Sequence, residues 1–379
     1  MQKKRLLPSL LLCGALSAAA VSAELSVQTV AKSLEHPWAL AFLPEGSFLV
    51  TERPGRMRVV QRDGSLGAPL QGLPEVASSG QGGLLDLALD PAFAQNRRLY
   101  FCYAQPSSDK ATSSTALASA TLSADATRLE NLRNLFVQQP KVKSNLHFGC
   151  RIAIAAQGPG KPTLLYLTLG ERFHHRDDAQ KLDNHHGKVV RITTEGAVPP
   201  DNPFVGKPPA LPEIWSYGHR NPQGATLAPD GTLWTHEHGP MGGDEINLPN
   251  AGANYGWPLV SYGRNYNFTS VGDGSREREG TQQPLHHWTP SIAPSGMAFV
   301  TSKRYGEDWV GNLLVGSLKF THLARLELQA PFKGPVQRET RLLPDLGERV
   351  RDVRQGPDGY IYLLTDHPNG RLLRLVPEK

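Results

Sequence analysis

The feature that most constrains this chain is a repeated pair of alternating strands joined by a tight turn. The clearest copy is 224–235, where two apolar alternating runs flank Pro-Asp-Gly, and 350–365 has the same order. Such period-2 alternation predicts an antiparallel β-meander, and no segment of comparable length has the 3.6-residue period of a helix. The pattern recurs six times, at 38–51, 84–103, 151–168, 224–235, 296–316 and 350–365.

A third alternating run follows the paired strands, as at 56–60, 187–192 and 370–375. A sheet of three or four strands cannot bury both of its faces alone, whereas sheets arranged around an axis pack on one another and leave few exposed edges. We therefore expect an all-β, six-bladed β-propeller with four-stranded antiparallel blades, with two stacked β-sandwiches as the alternative. In a propeller, loops that are distant in sequence converge at one end of the central channel.

The first residues have the pattern of a secretory signal peptide. Lys3, Lys4 and Arg5 precede an apolar run over 6–20, and a small-x-small pattern ends at Ala23. The apolar run is too short to span a bilayer comfortably, and no other segment is a candidate span. We expect cleavage near Ala23, export to the periplasm, and a single catalytic propeller domain over 24–379.

Charge and cysteine content restrict the partners and leave one question open. Cleavage removes three of the basic residues behind the formal charge of +5, and no basic run tracks a phosphate backbone, so nucleic acid is not expected as a partner. Cys13 leaves with the signal peptide, and Cys102 and Cys150 remain. They either form a disulfide in an oxidising compartment or stay free as small core residues.

Polar residues recur beside the strand pairs, just before the first strand or just after the second. In a propeller these positions bring one histidine, two amides and four cations to one channel mouth: His147, Gln81, Asn221, Arg220, Lys319, Arg349 and Arg351. Four clustered cations repel one another unless an anionic ligand lies among them. The alternative is surface salt bridging with Asp345 and Asp352. His147 is a candidate general base.

The densest polar segment, 217–258, combines cationic, amide, carboxylate and carbonyl groups with glycines and prolines that exclude a helix. His236 and His238 are two residues apart in an alternating run, so their side chains point to opposite faces, which disfavours a shared zinc ion. Oxygen ligands suit Ca²⁺ better. The candidates are the carbonyls of Gly239 and Pro240, with Glu245 and Tyr255.

Together these motifs resemble the soluble sugar dehydrogenases that depend on pyrroloquinoline quinone (PQQ), namely the periplasmic aldose sugar dehydrogenases and soluble glucose dehydrogenases. The likeness spans essentially the whole chain after the signal peptide, and it is closer to the smaller aldose type because long inserted loops are missing. It rests on the ordered motifs Trp-Ala-Leu at 38–40, Gly-Gln-Gly-Gly-Leu-Leu-Asp at 80–86, Leu-His-Phe-Gly at 146–149, Gly-His-Arg-Asn-Pro-Gln-Gly at 218–224, His-Gly-Pro at 238–240, Asp-Glu-Ile-Asn at 244–247, Asn-Tyr-Gly-Trp-Pro at 254–258 and Arg-Val-Arg-Asp at 349–352.

The resemblance implies that PQQ lies across the channel mouth with Ca²⁺ beneath it. It further implies that His147 takes the proton of the anomeric C1 hydroxyl of an aldose while a hydride passes to the quinone, giving the lactone. By the same resemblance, Arg349 and Arg351 would bind the carboxylates of PQQ, and Lys319 and Arg220 would pair with its oxygens. Asn221, Gln81 and Tyr266 would form hydrogen bonds with the cofactor or stack on it. The carbonyls of Gly239 and Pro240 would ligate the cofactor-bound Ca²⁺, and Glu245 and Tyr255 a further, structural one.

Three positions depart from the family pattern. Leu146 stands where the soluble glucose dehydrogenases carry an aspartate, the segment 171–175 differs from the expected one, and Cys150 replaces a common glycine. The first two departures concern sugar contacts rather than the cofactor. The preferred sugar, the separate electron acceptor and the choice between monomer and dimer are left open. The alternatives are a metal-dependent propeller hydrolase or lactonase, which needs several carboxylates around the channel, and a non-catalytic ligand-binding propeller.

Overall fold

A computed structural model describes residues 25–158 and 160–378, so the signal-peptide prediction lies outside the described residues. The described chain forms six four-stranded sheets, and every strand pairing within them is antiparallel. The first strands of successive sheets contact one another around a common axis. The predicted six-bladed β-propeller is thereby confirmed.

The strands follow the chain from blade to blade. The first, β1 (Leu25–Leu34), belongs to the last blade. Blade 1 contains β2 (Pro37–Phe42), β3 (Phe48–Glu52), β4 (Arg56–Val60) and β5 (Leu66–Pro69). Blade 2 contains β6 (Leu84–Leu89), β7 (Arg98–Pro106), β8 (Ser113–Leu122) and β9 (Leu129–Val137). Blade 3 contains β10 (Gly149–Ala155), β11 (Leu164–Leu169), β12 (Lys188–Thr193) and β13 (Ile214–Tyr217).

The remaining blades repeat the arrangement. Blade 4 contains β14 (Pro222–Leu227), β15 (Leu233–Glu237), β16 (Asp244–Asn247) and β17 (His286–Trp288). Blade 5 contains β18 (Pro294–Phe299), β19 (Leu313–Ser317), β20 (Leu323–Ala330) and β21 (Lys333–Leu342). Blade 6 contains β22 (Val350–Gln355), β23 (Ile361–Thr365) and β24 (Gly370–Pro377). The described helices are short: α1 (Phe93–Asn96) and 3₁₀ turns at Arg176–Gln180, Lys303–Tyr305 and Glu307–Trp309.

The ring closes by pairing its two ends. Strand β1 runs antiparallel to β24, with Leu25 opposite Pro377 and Leu34 opposite Gly370. Blade 6 is therefore built from three strands at the end of the chain and one from its beginning. This pairing gives the last blade its fourth strand and covers the edge that β24 would otherwise expose.

Every first strand carries an irregularity where it leaves the channel mouth. The register against the second strand shifts in all six blades, for example between Gly149 and Ile152 in blade 3 and between Val350 and Asp352 in blade 6. A β-bulge bends the strand and re-aims side chains. Residues within or beside these shifts then line the channel, including Trp38, Gln223 and Arg351.

A buried charge cluster links the first strands of blades 2, 3 and 6. The guanidinium of Arg151 is buried, and its Nη1 atom lies 3.2 Å from Asp86 and 2.9 Å from Asp352. Arg354 contacts the same two carboxylates at 2.7 and 2.9 Å. Asp352, which the alternative interpretation placed in surface salt bridges, is thus buried and joins blade 6 to Arg151 of blade 3, which also contacts Asp86 of blade 2.

Cys102 of β7 and Cys150 of β10 form a disulfide, with their Cα atoms 5.8 Å apart. Of the two alternatives left open by the sequence, the structure has the cross-link, and it joins blade 2 to blade 3. Within the described residues, no helix has the length and apolar character needed to traverse a bilayer.

Candidate active site

A cavity of about 630 Å³ opens at the channel mouth, and every blade contributes to its lining. Four predicted site residues line it, namely Gln81, Asn221, Arg349 and Arg351. The remaining lining residues that matter for its charge are Arg53, His36, His238, Asp366 and His367. The convergence expected from the repeat therefore occurs for residues that are up to 270 positions apart in the sequence.

His147 is buried directly behind this lining. Its backbone is in the left-handed region, with φ at 51°. Its N–H donates to Oε1 of Gln81 at 2.8 Å, and the next residue, Phe148, lines the cavity. Burial and the nearby charge of Arg220 lower the pKa of His147, and Glu171 opposes them. A neutral imidazole, which is the form that accepts a proton, is thus favoured.

Glu171 holds this imidazole, and the sequence analysis did not identify it. Its Oε1 atom lies 3.1 Å from Nδ1 of His147, and both side chains are buried. Phe173 packs edge-on against the same imidazole, with ring centroids 5.2 Å apart. The segment 171–175, regarded above only as a departure from the family pattern, therefore supplies the carboxylate partner and one wall of the candidate base.

A similar contact between a polar residue before or within the first strand and a carboxylate at the end of the second strand occurs in two other blades. In blade 4, Nδ1 of His219 lies 2.9 Å from Glu237, which ends β15. In blade 6, Arg351 lies 2.8 Å from Asp366, which follows β23. Each pair joins a polar residue near the start of the first strand to a carboxylate at the end of the second. The two positions are adjacent because the hairpin is antiparallel.

The arginines of blade 6 converge on one carboxylate. Oδ2 of Asp366 lies 2.8 Å from Arg351 and 3.5 Å from Arg349, while Oδ1 lies 3.0 Å from Nδ1 of His36. Burial alone would raise the pKa of Asp366, but these three partners hold it well below its usual range. The Nε atom of Arg351 is buried and has no protein acceptor. Donor groups therefore remain for an anionic ligand.

Arg220 lies between the cavity and the segment 237–245. Its Nη1 donates to the carbonyls of His238 at 3.0 Å and Gly239 at 2.8 Å, and its backbone N–H donates to Glu237. Its buried Nε has no protein acceptor. The carbonyl of Gly239, predicted to ligate Ca²⁺, accepts one hydrogen bond and retains a second lone pair.

A much smaller cavity beside Arg220 is lined by Gly239, Glu237, Glu245 and Tyr255. One amide nitrogen, Nδ2 of Asn247, lies 3.2 Å from each of the two glutamates. Burial, together with the charge of Glu237, raises the pKa of Glu245 to about 8. Among the described residues neither glutamate has a lysine or arginine side chain as ion-pair partner. Two carboxylates that line one cavity without such a partner favour the binding of a cation.

Tyr255 and Pro240 are less directly placed for metal binding. The phenol of Tyr255 donates to the carbonyl of Leu248 and accepts from the N–H of Asn250, and its ring stacks on His219. Pro240 is buried and follows Gly239 without lining either cavity. Their predicted ligand roles remain predictions.

Two further predicted residues lie away from the cavity lining. Lys319 is exposed, and its ammonium lies 5.1 Å from the ring centre of Phe320, although the preceding Leu318 lines the cavity. Tyr266 is 58% exposed in the loop that follows β16. Both remain predictions, Lys319 from its position in the repeat and Tyr266 from the family resemblance.

Comparison with known proteins decides the family. The sequence model described as Glucose / Sorbosone dehydrogenase matches residues 34–374, nearly all of the ring. The chain belongs to the glucose/sorbosone dehydrogenase family. The aldose sugar dehydrogenase YliI of Escherichia coli is 43% identical over 375 residues, with 98% of each chain covered. The quinoprotein glucose dehydrogenase B of Acinetobacter calcoaceticus is 29% identical over 422 residues, which cover 92% of this chain and 87% of that protein.

Solved structures agree with the family assignment. The apo form of the Escherichia coli aldose sugar dehydrogenase superimposes with a TM-score of 0.87 at 42% identity, covering 94% of this chain and all of that one. The PQQ-bound aldose sugar dehydrogenase of Streptomyces coelicolor gives a TM-score of 0.74 at 28% identity, covering 93% and 99%. This member of the glucose/sorbosone dehydrogenase family is therefore an oxidoreductase of the aldose sugar dehydrogenase type, which confirms the resemblance drawn from the motifs.

The charge of the large cavity fits a dehydrogenase of this family better than a hydrolase. Its lining contains three arginines and three histidines, and Asp366 is the one carboxylate among the described lining residues. Asp366 is already paired with Arg349 and Arg351. A metal-dependent lactonase needs several carboxylates around its channel, whereas this cavity favours an anionic ligand.

Proposed function

We propose that this protein is a periplasmic PQQ- and Ca²⁺-dependent aldose dehydrogenase that oxidises the C1 hydroxyl of a glucose-type sugar to the lactone. The observation that carries the proposal is the cationic cavity shared by all six blades, with a carboxylate-held His147 buried behind its wall. Electrons then pass to a separate acceptor. The PQQ-bound relative supports the choice of cofactor.

The residues present fit PQQ, which carries three carboxylates on a planar ortho-quinone. Arg349 is half exposed at the cavity, and Arg351 has an unpaired buried Nε, so both retain donors for carboxylates. The amides of Asn221 and Gln81 line the same cavity. Arg220 borders it, and Lys319 and Tyr266 would complete the set from its rim.

The residues also fit Ca²⁺. Near the cofactor, the carbonyls of Gly239 and Pro240 would ligate one ion, and Arg220 would lie beside it. Glu245 and Tyr255 would ligate a further ion, where the facing carboxylates of Glu237 and Glu245 need a countercharge. Ca²⁺ prefers such carboxylate and carbonyl oxygens.

The proton chemistry follows from the hydrogen bond of His147. Because Nδ1 faces the Glu171 carboxylate, the neutral imidazole carries its proton on Nδ1 and its lone pair on Nε2. Nε2 then takes the proton of the sugar hydroxyl, and Glu171 stabilises the resulting imidazolium. PQQ, when bound, supplies the electrophilic carbonyl that accepts the hydride from C1. Arg220 stabilises negative charge that develops near its guanidinium.

Reconstitution tests the proposal. The purified protein is loaded with PQQ and Ca²⁺ and assayed for dye reduction with several aldoses, with PQQ alone and Ca²⁺ alone as controls. We expect activity only with both and a quinone absorption band that sugar bleaches. The paired variant Arg349→Ala/Arg351→Ala should weaken PQQ binding at least tenfold. Calorimetric binding of PQQ without turnover of any aldose, or activity on lactones without PQQ, would overturn the assignment.

Export to the periplasm is proposed from two observations. The N-terminal pattern ending at Ala23 is that of a signal peptide, and the Cys102–Cys150 disulfide is the kind of bond that persists in oxidising compartments. Mass spectrometry of the protein from a periplasmic extract should find the mature chain beginning near Glu24.

A further inference from the structure

A second cluster of ligand-type side chains lies in the loop between β11 and β12, outside the large cavity. His175 and Asp178 sit three residues apart across the 3₁₀ turn Arg176–Gln180, which places them on one face. His186 approaches from the end of the same loop. One ligand atom from each of these residues lies within 4.8 Å of the other two.

Both ring nitrogens of His186 face oxygen acceptors, but a neutral imidazole has only one N–H to donate. Its side chain is fully buried. Nε2 lies 3.1 Å from the carbonyl of Pro140, an acceptor, so Nε2 carries a proton. Nδ1 lies 3.2 Å from Oδ2 of Asp178, also an acceptor. In the neutral imidazole, two lone pairs therefore face each other across this contact.

Two arrangements remove the conflict, a doubly protonated imidazole or a cation between the two atoms. The position of His175 favours the second. Its Nδ1 lies 3.5 Å from the same Oδ2 atom, and its ring lies 5.1 Å from that of His186. An ion pair between Asp178 and His186 needs no third ligand.

The spacing matches a small transition-metal ion. Zinc bonds of about 2.0–2.1 Å at tetrahedral angles separate neighbouring ligand atoms by about 3.3 Å. The measured contacts of 3.2 and 3.5 Å bracket that value. Two imidazoles and one carboxylate suit zinc, whereas Ca²⁺ and Mg²⁺ prefer oxygen ligands alone. His175 is partly exposed, so solvent reaches a fourth position.

Two lysines are also close to the cluster. Lys181 lies 2.9 Å from Oδ1 of Asp178, which leaves Oδ2 for an ion. Lys188 donates to the backbone carbonyls of Asp178, Ala179 and His186 rather than to the ligand atoms.

We propose that His175, Asp178 and His186 bind a divalent transition-metal ion, best matched by zinc, that braces the loop carrying Glu171. Glu171, whose carboxylate lies 3.1 Å from Nδ1 of His147, is near the start of this loop. Farther along, Gln180 donates to Asn254 at 3.0 Å and to the carbonyl of Trp257 at 2.7 Å, which ties the loop to blade 4. An ion bound by His175 and His186 fixes residue 175, four positions after Glu171, to residue 186 near the other end of the loop. The site does not depend on PQQ or on a sugar.

Metal binding to the untagged full-length mature protein tests the proposal. The protein is stripped with a chelator, reloaded with Ca²⁺ and titrated with Zn²⁺ by calorimetry, and bound metal is counted by mass spectrometry after gel filtration. We expect one equivalent of zinc. His175→Ala should lower its affinity at least tenfold, while the adjacent exposed His174→Ala serves as matched control and should retain wild-type affinity. Co²⁺ in place of zinc should give visible bands that His175→Ala loses.

Folding and alternative ions are checked in the same series. Metal-free His175→Ala should melt within a few degrees of the metal-free wild type, and zinc should raise the melting temperature of the wild type only. Asp178→Asn is the second variant should His175→Ala fail to fold, and it should also lose the zinc equivalent. Absence of a zinc equivalent, equal affinity in both histidine variants, or displacement of zinc by equimolar Ca²⁺ would overturn the proposal. Each readout is independent of dehydrogenase activity.

Discussion

Nδ1 of His147 lies 3.1 Å from Oε1 of Glu171, although 24 residues separate them in sequence. Residue 149 is paired with residue 169 across the β10–β11 hairpin, so the positions just before β10 and just after β11 share one edge. A histidine before the first strand and a glutamate after the second therefore meet. The pairing fixes the imidazole tautomer and makes Nε2 the free nitrogen.

Replacing Glu171 by Gln should change both the rate and its pH dependence. Glu171 raises the pKa of His147 against the effects of burial and Arg220. Its loss should lower that pKa, so the acidic limb of kcat moves to lower pH, while the plateau falls about ten- to hundredfold. The measurement is kcat against pH in the PQQ-loaded enzyme. An unchanged acidic limb would show that Glu171 does not act through His147.

Replacing His147 by Asn should remove turnover but leave the cofactor bound. Asn is chosen because the backbone at this position has φ at 51°, a region that Asn adopts more readily than Ala. We expect kcat to fall by about 10²–10⁴ while PQQ affinity changes less than threefold. Full activity in this variant would place the base elsewhere. The control is His174→Ala, which removes an exposed histidine.

Replacing Asp366 by Asn should destabilise the protein in a pH-dependent way. The folded-state pKa of Asp366 is depressed, so its stabilising effect is present above the unfolded pKa of about 3.9 and is lost as pH falls below it. We expect a loss of about 1–3 kcal/mol in the free energy of unfolding at pH 7, shrinking below about pH 4. Urea titrations at pH 7 and pH 3 measure it. Asp177→Asn, on an exposed side chain, should have no comparable effect.

Replacing Glu245 by Gln should separate calcium binding from folding. Glu245 and Glu237 line the same small cavity, where burial and the charge of Glu237 disfavour an ionised Glu245, so the neutral Gln should leave the calcium-free protein at least as stable as the wild type. Saturating Ca²⁺ at 100-fold its dissociation constant stabilises a one-site protein by about 2.7 kcal/mol. That increment should disappear in the variant if Glu245 is a ligand. A calcium-induced melting shift equal to that of the wild type would remove Glu245 from the metal site.

The fold was predictable because local patterns specify it. The six strand pairs carry alternation and turn residues that are legible without any long-range information. The closing pair, β1 with β24, was not predicted, since Leu25 and Pro377 have no local feature that matches one to the other. The outermost strands were expected from the four-stranded blades but were not located in the sequence, because short strands such as His286–Trp288 carry too few residues to show a period.

The site was half predictable for a similar reason. Gln81, Asn221, Arg349 and Arg351 belong to recurring motifs before the first strands, and all four line the cavity. The carboxylates after the second strands were missed, namely Glu171 beside His147 and Asp366 beside Arg349 and Arg351. Hairpin register alone would have identified Glu171 and Asp366, once polar residues at both ends of each strand pair were compared. Lys319 was predicted from its position in the repeat and Tyr266 from the resemblance, and the long side chains of both lie outside the described lining.

Ring closure by β1 and β24 has a consequence for biogenesis. Arg349 and Arg351 belong to blade 6, whereas His36, which pairs with Asp366, and Trp38, which lies against Arg351, belong to blade 1. These groups come together only after the last strand to be synthesised has found the first one. A nascent or C-terminally truncated polypeptide therefore has no complete anion pocket, and binding of the proposed quinone would follow the final step of folding rather than guide it.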